Sequence, residues 1–165
     1  MGSMPVIYLL RHGIAEDRSA SGRDADRMLT REGVEKMQRA AVGLASLDVK
    51  PDAIWSSPLT RAIQTAELVR DAVAPGLALV TEPRLRPEAD IDDMLHELHA
   101  ASGVQALIMV GHEPTISALA SALLTGSTSG ARVPFKPGSA LAVELQPASH
   151  GSLRWFVTPE QLRRL

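Results

Sequence analysis

Short apolar runs alternate along the chain with longer amphipathic stretches. Val6 to Leu10, Asp52 to Ser56, Leu77 to Thr81 and Val104 to Val110 read as buried strands. Between them, apolar residues recur at helical spacing. Val34, Met37, Ala41 and Leu44 make one stripe, and Ala62, Ala66, Val69 and Val73 a second. Ile91, Met94, Leu98 and Ala101 make a third, and Ile116, Leu119, Ala120 and Leu123 a fourth. Thr30 is placed to cap the first helix, with Glu32 in its first turn. Ser57-Pro58 opens the second with proline in the first turn, and Gly126 stops the fourth. The polar stretch from Glu16 to Arg27 and the Ser/Gly/Pro-rich stretch from Thr125 to Gly138 read as loops. Ala140 to Leu145 and Leu153 to Val157 form a late hairpin around Gly151, and Thr158-Pro159-Glu160 caps a short terminal helix.

Strands alternating with helices predict an α/β fold of three layers, a mostly parallel central sheet flanked by helices. The late hairpin makes that sheet mixed at one side. With no internal repeat and no linker, residues 4–165 read as one domain, and Met1 to Ser3 as the remnant of an expression tag. In such sheets ligands bind beyond the carboxyl ends of the strands.

Composition narrows the function. At 165 residues the chain can bury a core without staples, and with aromatics at 3% that core must be aliphatic. A formal net charge of −2 gives no basis for a nucleic-acid or acidic-membrane partner. The absence of cysteine excludes disulfides and thiolate nucleophiles and suits the cytoplasm. No apolar run approaches the length of a membrane span, and no signal peptide is expected.

Two predicted strands end in a histidine with glycine beside it: Leu10-Arg11-His12-Gly13 and Val110-Gly111-His112-Glu113. The fold logic puts both histidines at one sheet edge. Arg61 lies near the start of a helix that follows a strand, where the helix N-terminus attracts anions. Arg11, His12, Arg61 and His112 can therefore converge on one small dianion, most economically a phosphate. No P-loop, dinucleotide fingerprint or clustered Asp/His set offers other phosphate machinery.

These residues stand in a recognisable order. Arg11-His12-Gly13 is followed by Ser57-Pro58-Leu59-Thr60-Arg61-Ala62 with Gln64-Thr65-Ala66, and then by Gly111-His112-Glu113-Pro114. The set resembles the histidine phosphatase superfamily, which includes the cofactor-dependent phosphoglycerate mutases. Asp24-x-x-Arg27-x-Leu29-Thr30-x-x-Gly33 resembles a pattern of its small SixA-type phosphohistidine phosphatase branch. The resemblance runs from Val6 to about Glu144. It implies a phosphoglycerate-mutase-like sheet and a metal-independent phosphatase without cofactor. It also implies that His12 is the nucleophile of a covalent phosphohistidine intermediate. In this reading Arg11, Arg61 and His112 bind the phosphoryl oxygens, and a hydrogen bond from the other ring nitrogen of His12 to backbone fixes its tautomer. The physical chemistry agrees: neutral imidazole is a good nucleophile, and Arg matches phosphate oxygens bidentately.

An alkoxide leaving group needs a proton donor. Glu88 is the first candidate acid and Asp90 the second, although neither sits in a mutase-type pattern. A phosphohistidine substrate relaxes this need, and short segments between the motifs leave little material for a cap. The preferred substrate is thus a phosphorylated histidine on a phosphotransfer protein, in signal transduction. A small phosphomonoester, or a non-catalytic phosphate-binding module, remains as an alternative. Arg27 either contacts the site or pairs with Asp24 or Asp26, and Arg84 and Arg86 either line the pocket rim or face solvent. Glu113 reads as structural at a helix start, and His96, His99 and His150 as inert.

Overall fold

The computed structural model describes residues 4–165, so the reading of Met1 to Ser3 as a tag remnant lies outside the described residues. In chain order the elements are β1 (Val6–Arg11), α1 (Arg31–Ser46), β2 (Ala53–Ser56), α2 (Thr60–Val73), β3 (Leu79–Thr81), α3 (Ile91–Ala100), β4 (Ala106–Gly111), α4 (Thr115–Thr125), β5 (Ala140–Glu144), β6 (Ser152–Val157) and α5 (Pro159–Leu162). Short 3-10 turns stand at Asp24–Asp26 and Pro83–Leu85.

All six strands join one mixed sheet in the order β3-β2-β4-β1-β5-β6. β1, β2, β3 and β4 are parallel, and β5 and β6 complete the sheet as antiparallel neighbours. Both faces are covered, which explains why the central strands read as continuous apolar runs. Alternation along β1 and β4 divides the core. Ile7, Leu9, Leu107 and Met109 pack with Met94 of α3 and with Ile116 and Leu119 of α4. Leu10, Ile108 and Val110 pack on the opposite face with α1, α2 and Leu162 of α5.

β4 inserts between β1 and β2. The chain leaves β1 through α1 over one face and leaves β4 through α4 over the other. The edge beyond β1 and β4 is therefore the topological switch point, where α/β sheets place ligands.

Several element boundaries differ from the sequence reading for local reasons. Pro58 lies ahead of α2 rather than in its first turn, because Ser57 N–H still donates to Val110 O at 3.0 Å and the chain must turn before the helix starts. Leu77 is spent closing a turn onto Ala74 O, so β3 begins only at Leu79. In α1 the buried stripe is Gly33, Met37, Ala40, Ala41, Gly43 and Leu44, and Val34 is only half-buried. The small residues are required by close approach: a Cβ at Gly33 would lie 2.1 Å from Ile14 O, and one at Gly43 2.1 Å from Leu162 O.

Candidate active site

Sheet register brings the two histidines together. Arg11 pairs with Gly111 across β1 and β4, so His12 and His112 are the next residues on adjacent strand ends. His12 N–H donates to Gly111 O at 3.1 Å, and the ring centroids lie 5.0 Å apart. β2 ends beside β4 at Ser56, which puts Ser57 at the same edge. Three neighbouring strands thus present His12, His112 and Ser57 in a row.

The His12 ring is held from behind. Its Nδ1 lies 2.7 Å from Gly13 O, an acceptor, so Nδ1 carries the proton and Nε2 keeps its lone pair. Burial pushes the His12 pKa down from 6.5 to about 4, partly opposed by the Gly13 hydrogen bond and reinforced by Arg61, Arg11 and Arg27. Gly13 is itself fixed, its N–H donating to Thr65 Oγ1 at 3.1 Å while that hydroxyl donates to Arg61 O at 2.8 Å. A Cβ at Gly13 would lie 2.6 Å from Met37 Cγ, so a larger residue would shift the ring's support.

His112 is only 2% exposed. Its Nε2 lies 2.8 Å from Ser57 Oγ, and that oxygen already accepts from Leu59 N–H at 3.3 Å. With the Ser57 hydroxyl donating to Nε2, Nδ1 carries the imidazole hydrogen and can donate in turn. Burial pulls the His112 pKa down to about 3, with His12 and Arg61 adding to the effect. Both rings are thus neutral near neutral pH, one offering a lone pair and the other an N–H.

Arg61 follows the first residue of α2 and is only 4% exposed. One terminal nitrogen donates to Asp24 O at 2.9 Å and the other to Asp24 Oδ2 at 3.1 Å. Arg11 reaches the loop after α4, donating to Phe135 O at 2.7 Å. The buried Nε atoms of Arg11 and Arg61, and Nδ1 of His112, have no protein partner. Buried donors without partners are costly, and guanidinium N–H groups are suited to anionic oxygens.

The structure thus brings Arg11, His12, Arg61 and His112 together. Arg27 pairs with Asp24 at 2.9 Å and donates to Glu16 O, yet its charge is felt at His12. Of its two expected placements the structure shows the pairing, with Asp24. Glu88 is exposed, next to Pro87, whose carbonyl accepts from Thr115 at the start of α4. Asp90 is occupied as the N-cap of α3, accepting from Asp92 N–H at 2.8 Å. Glu113 accepts from Ser117 N–H at the start of α4 and faces Arg11. Arg84 pairs with Glu82 and Glu97, while Arg86, His96 and His99 are exposed. Among the described residues no group of three or more His, Asp or Glu could hold a metal ion.

Ser57 and Thr65 had no assigned role in the sequence reading, and Asp24 was read only as a possible partner of Arg27, not of Arg61. Each lay inside a quoted motif, and the spacing of Asp24 to Arg27 was the available signal. The motif from Asp24 to Gly33 now has a part for each fixed residue. Asp24 bridges two arginines, Leu29 N–H donates to Gln64 Oε1 at 2.7 Å, and Thr30 Oγ1 accepts from Gly33 N–H at 2.9 Å.

Fold and site together define a class: a doubly wound α/β protein with a cluster of imidazoles and guanidiniums at its switch point. The family model described as the histidine phosphatase superfamily (branch 1) matches residues 7–94. An uncharacterized protein of Picosynechococcus sp. is 35% identical over 124 residues, covering 74% of each chain. The structure of the protein histidine phosphatase SixA complexed with tungstate superposes with TM-score 0.86 at 26% identity, over 95% of this chain and 99% of that one. A protein assigned as the phosphohistidine phosphatase SixA of Agrobacterium tumefaciens gives TM-score 0.77 at 26% identity, over 94% and 99%. The chain belongs to the histidine phosphatase superfamily.

Proposed function

We propose that the protein is a metal-independent phosphohistidine phosphatase in which His12 is the nucleophile. The observation that carries this reading is the His12 Nδ1 to Gly13 O hydrogen bond, which leaves Nε2 basic and unprotonated beside three unpartnered donors. The Nε2 lone pair attacks phosphorus in line and forms an N–P bond. The bond from phosphorus to the substrate nitrogen breaks, its electron pair returning to the substrate ring, which leaves as neutral imidazole because its other nitrogen already carries a proton taken from solvent. Water then attacks the phosphorus on His12, releasing phosphate and regenerating the neutral ring. Arg11, Arg61 and His112 hold the phosphoryl oxygens, where charge-assisted donors in a buried site stabilise the transition state most strongly.

Support for a phosphorylated histidine on a phosphotransfer protein comes from the proton balance. A P–N bond releases a ring that leaves neutral once protonated, whereas an ester needs a placed acid. Of the two candidate acids, Glu88 is exposed and Asp90 caps a helix. The chain superposes over nearly its full length on the protein histidine phosphatase SixA.

The test is acid-quenched labelling with a phosphorylated histidine protein and with phosphate esters, on wild type and His12→Ala. Acid-labile phosphate on wild type alone, and a higher kcat/KM for the phosphoprotein, are expected. Equal labelling of both proteins removes His12 as nucleophile, and a preference for esters moves the substrate to small phosphomonoesters. Activity lost to a chelator contradicts the metal-free mechanism.

A further inference from the structure

A second recess opens at the same sheet edge, behind Gly13 and separate from the imidazoles. Its free volume is about 140 Å³ and it is open to solvent on one side, smaller than the roughly 300–1,000 Å³ of drug-sized ligand sites and suited to a single ring with a short arm. Ile14, Met37, Pro137 and Pro159 give it an apolar floor, and Lys36, Lys136 and Arg163 stand around it. Glu160 is the acidic residue on its rim.

The charges do not cancel. Lys36 is held by Glu32 at 2.6 Å, while Lys136 and Arg163 make no ion pair among the described residues. The Glu160 carboxyl sits below its usual range chiefly because it accepts its own backbone N–H, and less because of Lys136 and Arg163. With Lys36 already paired, Lys136 and Arg163 stand against the one carboxylate of the lining, Glu160, a surplus suited to one negative charge. The walls are preformed. Gly138 N–H donates to Arg11 O and His12 O at 3.1 Å, and Lys136 N–H to Ser139 Oγ at 3.0 Å. Gly33 and Met37 come from α1, whose packing closes the other side.

We propose that this recess binds a small organic monoanion, a carboxylate on an apolar body, with Lys136 and Arg163 holding the carboxylate and the Ile14-Met37-proline floor taking the body. A phosphate dianion would find too little surplus charge here and would leave the floor unused. The bound molecule lies against Gly13, one residue from His12, so the Gly13 amide reports on it directly. The inference does not depend on the reading of His12 as nucleophile.

Phenylacetate and its uncharged analogue phenethyl alcohol are the probes, followed in two-dimensional amide NMR spectra of the full chain. Phenylacetate should shift the Gly13, Ile14 and Gly33 signals saturably at millimolar concentration, the range of a fragment making a few good contacts. The alcohol should bind at least about tenfold more weakly, since it lacks the charge. Exchanging both cations, Lys136→Gln with Arg163→Gln, should abolish the response while the remaining signals stay in place. Equal shifts from the alcohol, shifts confined to Ser57, Gly111 and His112, or no saturation would each overturn the proposal.

Discussion

Ser57 Oγ stands 2.8 Å from His112 Nε2, a buried hydrogen bond that holds the ring in one tautomer. Ser57→Ala should release the tautomer. A buried group left without its partner costs about 1–3 kcal/mol, so kcat/KM should fall roughly 10- to 100-fold. Nitrogen chemical shifts of His112 should show a mixture of tautomers in the variant and one form in wild type. An unchanged tautomer would detach Ser57 from the site.

Proton affinity gives a second expectation. His12 and His112 titrate near 4 and near 3 in the folded protein, against 6.5 when unfolded. Between these values the unfolded chain binds protons that the folded chain does not, so stability falls as pH is lowered through that window. The slope is about 1.4 kcal/mol per pH unit for each histidine. Urea midpoints measured from neutral pH to about pH 4 should follow it, with a shallower slope for His112→Gln. Activity of the free enzyme should hold well below pH 6.5, because His12 remains neutral. Vanadate should raise the His112 pKa, since a bound anion favours the protonated ring.

Arg61 and Asp24 provide a graded pair. Arg61→Lys loses the fork, and if Arg61 acts as an oxyanion donor kcat/KM should drop by about 2.7–4 kcal/mol of barrier. Asp24→Asn keeps the size and the backbone contact to Arg61 but removes the ion pair. It should cost less in kcat/KM. Because Asp24 raises the His112 pKa, the same variant should lower it further, measurable by NMR titration.

Gly33→Ala tests the support behind Gly13. Alanine favours a helix intrinsically, yet its Cβ would sit 2.1 Å from Ile14 O. Backbone cannot yield cheaply there, so a net loss of about 1–3 kcal/mol is expected, read as a lower melting temperature. Stabilisation would mean that the Ile14 segment is soft.

The elements were legible because period and punctuation agree with them. Thr30 and Thr158 cap the helices they were expected to cap, and Gly126 takes the left-handed conformation that ends α4. The boundaries that moved, at Pro58 and Leu77, are set by hydrogen bonds to distant or turn residues that periodicity does not carry. Of the site, the four cationic and imidazole groups could be named from strand ends and motif order. The roles of Ser57 and Thr65 could not, since a hydroxyl's partner is known only when the facing strand is placed.

By itself, the chain's order of residues determined the strands, the helices, the family motifs and the kinds of side chain available at one sheet edge. Folding in three dimensions decided that β4 enters between β1 and β2, and with that a register placing two imidazoles 5.0 Å apart. The depressed pKa values, the Asp24 bridge and the recess behind Gly13 follow from that packing. Desolvation and pairing sum over neighbours far apart in sequence, so no local stretch encodes them.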